Sequence, residues 1–214
     1  MEASSLFYKT TPSDVHNSGS VPALIFLHGR GTDEDDLLGL SEYIDPRLFI
    51  ASVRAPYKFP SGGYTWFHLD ETGKIDIDQL VSSSDCFLHW LDDFQQHFSI
   101  DPHRIFLFGF SMGAMMSLTL ALSSPHRFKG VIAHSGFLPE HERLSYRWSD
   151  LRSLSFYLAH GIYDPIVSIE LGRQTYHKLL QADANVLLKE HSIPHTIDEN
   201  SMTNIAHWIQ EQLL

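Results

Sequence analysis

A serine with glycine two residues to either side, Gly109-Phe110-Ser111-Met112-Gly113, stands where the strand-like run RIFLF gives way to the helical segment SMGAMMSL. A strand-to-helix reversal this tight forces the residue at its tip into a strained conformation. It also brings backbone so close on both sides that any side chain there would collide, hence the glycines. The chain therefore has to put a buried strand, a sharp turn and a buried helix in succession, with the serine hydroxyl lifted above the sheet. The unpaired N–H groups and positive dipole end of the following helix lie beside that hydroxyl, which makes the Met112 N–H a candidate oxyanion donor. Taken out of this setting, the same pattern is a capped helix between two turn glycines.

The rest of the chain repeats the same alternation. Short apolar runs, 23–27, 48–53, 104–108, 130–134, 155–159 and 186–190, alternate with longer segments of helical period. Several runs are almost continuously apolar, as strands covered by helices on both faces are, so an α/β fold with a mostly parallel central sheet is expected. Phe87, Leu91, Phe94 and Phe98 mark one face of a helix over 79–97, and Pro102 closes the loop after it. Residues 111–122 are apolar nearly all round and predict a helix packed on the sheet, ended by Pro125. Two more helices are expected over 168–180 and 200–213, and an antiparallel edge strand over 6–10. The 214 residues suit one domain, 1–214, with long loops at 55–74 and 135–151.

Composition narrows the function classes. Fifteen Lys and Arg against 26 Asp and Glu leave a net charge of −11, which repels phosphate backbones and anionic lipid, so nucleic acid is not an expected partner. Cys86 is the only cysteine, so no internal disulfide can form. No run approaches the ~18 apolar residues of a membrane span, and MEASSLFYKTTPSD is not signal-like. A cytoplasmic protein without stable membrane insertion is the expectation.

A serine hydroxyl is a poor nucleophile until a base takes its proton and a carboxylate orients that base. On a fold of this kind they follow in the order Ser, Asp, His. After Ser111, the strand SFYLA runs into His160-Gly-Ile-Tyr-Asp164-Pro, which puts an acid on a turn at the sheet edge where open α/β sheets bind ligands. The next strand ends in His191-Ser-Ile-Pro-His195, so two histidines compete. His195 stands clear of the strand on a Pro-containing loop and is the expected base, while His191 is placed to pack. A His191/His195 metal pair would need a helix that Pro194 prevents. Asp198 falls after the histidine, in cap position for the last helix. The other twelve histidines show no ligand spacing, so no metal or cofactor is expected. After the first strand, His28-Gly29-Arg30-Gly31 is placed to give a second oxyanion donor, the Arg30 backbone N–H.

With these segments in hand, the sequence resembles the phospholipase/carboxylesterase family of small α/β-hydrolases, which includes bacterial carboxylesterases and acyl-protein thioesterases. FLHGRGTDEDDL, RAPYKFPSGGYTWF, IFLFGFSMGA, VIAHSGFLP, AHGIYDPIV and IPHTIDEN match the family's segments in order over nearly the whole chain. The resemblance implies an α/β-hydrolase fold without a large cap domain. It also implies a Ser111, Asp164, His195 triad and oxyanion donors at Arg30 and Met112. It places Tyr64, Trp66 and Phe67 in a loop over the acyl pocket, where they either contact substrate or anchor the loop as core plugs; Phe137 is a candidate of the same kind. Met112 stands where eukaryotic thioesterase members have glutamine, and Ile193-Pro194 where they often have histidine-glycine. Both favour simple ester hydrolysis over protein depalmitoylation.

The expected function is that of a serine carboxylesterase acting on a small ester, with short- to medium-chain acyl groups. An acyl thioesterase or lysophospholipase of the same fold is the near alternative. A non-catalytic binding protein is the remote one, and it predicts a broken triad or oxyanion loop. Oligomeric state is open, a homodimer included.

Overall fold

The computed structural model describes residues 6–11 and 20–214. Its main sheet has seven strands in the order β1-β3-β2-β6-β7-β8-β9. These are β1 (Tyr8–Thr11), β2 (Val21–Leu27), β3 (Phe49–Val53), β6 (Ile100–Phe110), β7 (Gly130–His134), β8 (Ser155–Gly161) and β9 (Asn185–His191). A two-stranded ribbon, β4 (Tyr57–Lys58) with β5 (Tyr64–Thr65), lies within the loop after β3. β1 pairs antiparallel with β3 and forms one edge; every other pairing in the main sheet is parallel.

Continuous apolar runs become strands here because both faces are covered. Ala23, Ile25 and Leu27 of β2 share a core with α1 (Ile77–Phe98), α2 (Met112–Ser123) and Leu179 of α3 (Ile169–Gln181). Leu24 and Phe26 point the other way, into a second core with Met202, Ile205, Trp208 and Ile209 of α4 (Glu199–Gln212). α2 buries every residue from Met112 to Leu122, as its all-round apolarity requires. α1 and α4 begin on aspartate caps: Asp76 accepts the Gln79 N–H and Asp198 the Ser201 N–H.

One boundary departs from the sequence reading. β6 begins at Ile100, before Pro102, so the segment expected to be a closing loop is strand. Its first residue pairs with Val21, and the register then shifts before Ala23 meets Ile105. A bulge of this kind lets a proline enter a strand without interrupting the ladder beyond it.

The sharpest constraint on the fold is the approach of α2 to β2. A Cβ on Gly113 would stand 1.9 Å from the Leu27 carbonyl oxygen, and one on Gly109 would stand 2.1 Å from that of Gly113. Both contacts are with backbone, which cannot step aside as a flexible side chain could. Gly113→Ala is therefore expected to be severely destabilised or to fail to accumulate as folded protein. Gly39→Ala, with nothing within 4 Å of the added carbon, should change stability by no more than about 0.5 kcal/mol. Thermal unfolding of the two variants side by side checks this.

Candidate active site

The turn after β6 holds Ser111 at φ 54° and ψ −117°, a region that residues with a Cβ occupy only when surroundings over-determine it. The surroundings are backbone. The Ser111 N–H donates to the His134 carbonyl at 2.8 Å, and its own carbonyl accepts the Ala114 N–H at 3.0 Å. The adjoining turn is built alike: Ser135, fully buried at φ 54°, donates its N–H to the Ala159 carbonyl.

Asp164 follows β8 by three residues. Its Oδ1 accepts the N–H groups of Ile166 and Val167, both at 2.8 Å, and its side chain is wholly buried. Burial pushes the carboxyl up, but the Val167 N–H, the His195 ring and the Ile166 N–H together outweigh it and hold the group below the ordinary aspartate value. The charged form is therefore the resting one. Its Oδ2 lies 2.6 Å from His195 Nδ1, and His195 Nε2 lies 3.0 Å from Ser111 Oγ. Three side chains from three loops at the C-terminal sheet edge thus form one hydrogen-bonded line.

Of the two competing histidines, only His195 reaches the serine. His191 ends β9 as a buried ring stacked on His134, centroids 6.2 Å apart and planes at 16°. His160 stands behind the acid, its Nε2–H donating to the Val167 carbonyl at 2.8 Å and lying 3.4 Å from Asp164 Oδ2. Among the described residues, no group of three or more His, Cys, Asp or Glu is arranged to hold a metal.

The loop carrying Arg30 is fixed from several sides. His28 is fully buried, and its Nε2 accepts the Ala55 N–H at 3.0 Å, which leaves the proton on Nδ1, 2.7 Å from the Gly29 carbonyl. Burial lowers its pKa and keeps that neutral tautomer. The Gly31 N–H donates to the Tyr64 carbonyl, and the Tyr64 N–H donates to the Thr32 carbonyl. Gly29 lies against the elbow: a Cβ on it would stand 3.5 Å from the Phe110 ring and 3.7 Å from Ser111 Cβ.

The aromatic loop takes a correction. Trp66 and Phe67 are 0% exposed, so of the two roles open to them they fill that of core plug. The Trp66 Nε1–H donates to the His28 carbonyl at 3.0 Å and its ring packs on Phe87. Tyr64 turns to Arg54, whose guanidinium lies 4.6 Å over the ring and donates to the hydroxyl. Phe137 is half-buried at the rim of a cavity of about 200 Å³ shared with Leu171 and Lys178 of α3. Met112 is buried, its sulfur 3.1 Å from the Thr65 hydroxyl, so its side chain secures β5 over the elbow while its N–H stays at the helix start.

Other residues that shape the site carry no local signal in the sequence. The Phe110 ring rests 4.9 Å from that of His195 and 5.9 Å from that of His134, so a column of rings backs His195. Glu34, 2% exposed, receives Arg54 through both oxygens at 2.6 and 2.7 Å, and Phe7 lies 4.2 Å from the same guanidinium. That clamp ties the loop carrying Arg30 to the end of β3.

Residues 15–213 match the family model described as Phospholipase/Carboxylesterase. The chain belongs to this family. Acyl-protein thioesterase 1 of Candida albicans is 27% identical over 91% of this chain and 94% of that protein. Lysophospholipase-like protein 1 of Mus musculus is 27% identical over 89% and 87%. A Bacillus cereus carboxylesterase crystal structure superposes with a TM-score of 0.87 at 23% identity, over 99% of this chain and 100% of that one. Like other phospholipase/carboxylesterase members, this chain is a hydrolase of the α/β-hydrolase fold, and no large cap is inserted among its described residues. None of its described helices is long and apolar enough to cross a membrane.

The buried histidines give the family fold here a pH dependence. Burial, reinforced by the neighbouring His191, His160 and His195, lowers the pKa of His134 to about 3. Between about pH 6.5 and pH 3 the unfolded chain binds a proton that the native state refuses, so stability falls as pH drops through this window. At pH 5.5 each histidine held neutral costs about 1.4 kcal/mol relative to pH 7.5. Urea unfolding should show lower stability at pH 5.5, and His134→Gln should lose part of that dependence. An unchanged dependence in the variant would exclude His134 as a contributor.

Proposed function

We propose that this protein is a serine carboxylesterase in which Ser111 attacks the ester carbonyl, His195 takes its proton and Asp164 orients and stabilises the resulting imidazolium. The observation that carries the reading is the unbroken line from Asp164 Oδ2 to His195 Nδ1 at 2.6 Å and from His195 Nε2 to Ser111 Oγ at 3.0 Å. With Asp164 charged, His195 carries its proton on Nδ1 and presents the Nε2 lone pair to the hydroxyl. That is the tautomer a general base needs. As the tetrahedral intermediate forms, negative charge gathers on the former carbonyl oxygen, and the backbone N–H groups of Met112 and Arg30 receive it. His195 then protonates the leaving alcohol, and water attacks the acyl-enzyme with the same residues in the same roles. The substrate in this reading is a small ester, and the reaction draws on no metal or cofactor.

A second reading is action on thioesters. The Candida albicans relative, a protein named as an acyl-protein thioesterase, supports it, and the same acyl-enzyme chemistry serves both bonds. Parallel turnover of p-nitrophenyl butyrate and a matched acyl thioester separates the two.

Ser111→Ala should reduce p-nitrophenyl butyrate turnover by at least about 10³-fold while the circular dichroism spectrum and melting temperature stay near those of the parent. Undiminished turnover would remove Ser111 as nucleophile. Asp164→Asn should also fold and should lose most activity, because an amide can stabilise the wrong imidazole tautomer.

A further inference from the structure

The proposed mechanism uses only the backbone of Arg30, which leaves its side chain unexplained. The guanidinium is exposed and lies over the Phe59 ring, 5.5 Å from its centroid. Phe59 also covers Gly31, 3.2 Å from where a Cβ would be. The cation is thus laid on an aromatic face at the rim of the loop that abuts Ser111.

Its electrostatic state sets it apart. Among the described residues every arginine except Arg30 and Arg152 has a carboxylate partner. Arg152 precedes β8, at the opposite edge of the sheet from Ser111. The lack of a partner for Arg30 is not for want of acids, since four of the next six residues are acidic. Each is engaged elsewhere. Glu34 holds Arg54, Asp35 holds Lys9, Asp36 accepts the Thr32 hydroxyl, and Asp33 accepts the N–H of Asp35 in its own turn. In a chain of net charge −11, where most cations are neutralised by neighbours, one on the loop that abuts Ser111 keeps its charge available.

We propose that Arg30 is a specificity-determining residue that selects esters bearing a carboxylate or phosphate group close to the scissile bond. The inference rests on the serine-esterase reading above and deepens it by naming the substrate class. A guanidinium presents paired donors that match the two oxygens of a carboxylate or phosphate, and stacking on Phe59 limits the side-chain freedom lost when it binds them. The protein's overall charge repels anions at a distance. Discrimination therefore comes from the contact at Arg30 rather than from steering by the whole surface.

The test compares matched charged and neutral esters. Mono-p-nitrophenyl glutarate against p-nitrophenyl pentanoate places the charge on the acyl side. 4-Acetoxybenzoate against methyl 4-acetoxybenzoate places it on the leaving group. The quantity read is the ratio of kcat/KM, charged over neutral, in which any shared loss from disturbing the oxyanion loop cancels. For one of the two pairs the ratio should fall at least about fivefold in Arg30→Gln, further in Arg30→Glu, and least in Arg30→Lys. The pair that responds identifies the side on which the anion lies. Ratios equal to those of the parent in all three variants, for both pairs, overturn the proposal. On the unsubstituted protein at 500 mM NaCl, where repulsion by the net charge of −11 is largely screened, the charged ester of one pair should be the better substrate; a preference for the neutral ester in both pairs counts against Arg30 even if the variants misfold. Failure of the unsubstituted protein to hydrolyse any of the four esters would instead overturn the esterase reading itself.

Discussion

The first turn of α2 packs against the end of β2 at a distance that excludes a single methyl group, and the organisation of the site depends on this contact. Gly113 lies against the Leu27 and His28 carbonyls, so the helix that presents Ser111 and the strand that feeds the Arg30 loop are held in van der Waals contact. Ser111 and the two proposed oxyanion donors share a common backbone frame as a result. Their relative positions do not depend on side-chain rotamers, as preorganised charge stabilisation requires. The strain at Ser111 persists because the His134 carbonyl and the helix start both hold it in place.

Around that frame, buried polar groups act as struts. His28 joins the loop carrying Arg30 to the segment after β3, the Arg54–Glu34 pair repeats the tie a few residues on, and the Trp66 Nε1–H donates to the His28 carbonyl. A charge pair as buried as Glu34 contributes little net stability, because desolvation offsets attraction, but its bidentate geometry fixes a register. The histidines at the C-terminal edge divide in the same way. His134, His160 and His191 are buried with lowered pKa values, while His195 alone extends to the serine. Uncharged rings beside His195 leave Asp164 as the one formal charge in contact with it among the described residues.

Much of this was legible in the sequence wherever the cause was local. The glycines at 109 and 113 announce the elbow because the pattern is complete within five residues, although the carbonyl that excludes a side chain at Gly113 belongs to the distant Leu27. Strand and helix periods locate the central elements to within a few residues, and the Asp198 cap lies next to the helix it starts. The order of acid and histidine along the chain admits His191 and His195 alike; the Pro-containing loop favours His195, and the family resemblance makes that choice firm. What could not be read depends on partners distant in the chain. β6 extends back through Pro102 because Val21 pairs with Ile100. Trp66 and Phe67 look alike as pocket walls or core plugs until the sheet edge is folded beneath them. Glu34 and Arg54 are twenty residues apart, and Phe110 meets His195 across eighty-five, so neither pair leaves a pattern that spacing could reveal.

The central claim is that Ser111 is a nucleophile activated by its neighbours rather than a helix cap. Intact-mass spectrometry after exposure to a fluorophosphonate measures this directly, because only an activated serine displaces the fluoride. A single adduct, mapped by peptide sequencing to Ser111, lost in Ser111→Ala and strongly slowed in His195→Ala, is the expected result. An unmodified protein under conditions that label an authentic serine esterase, or an adduct on another residue that survives Ser111→Ala, would contradict it.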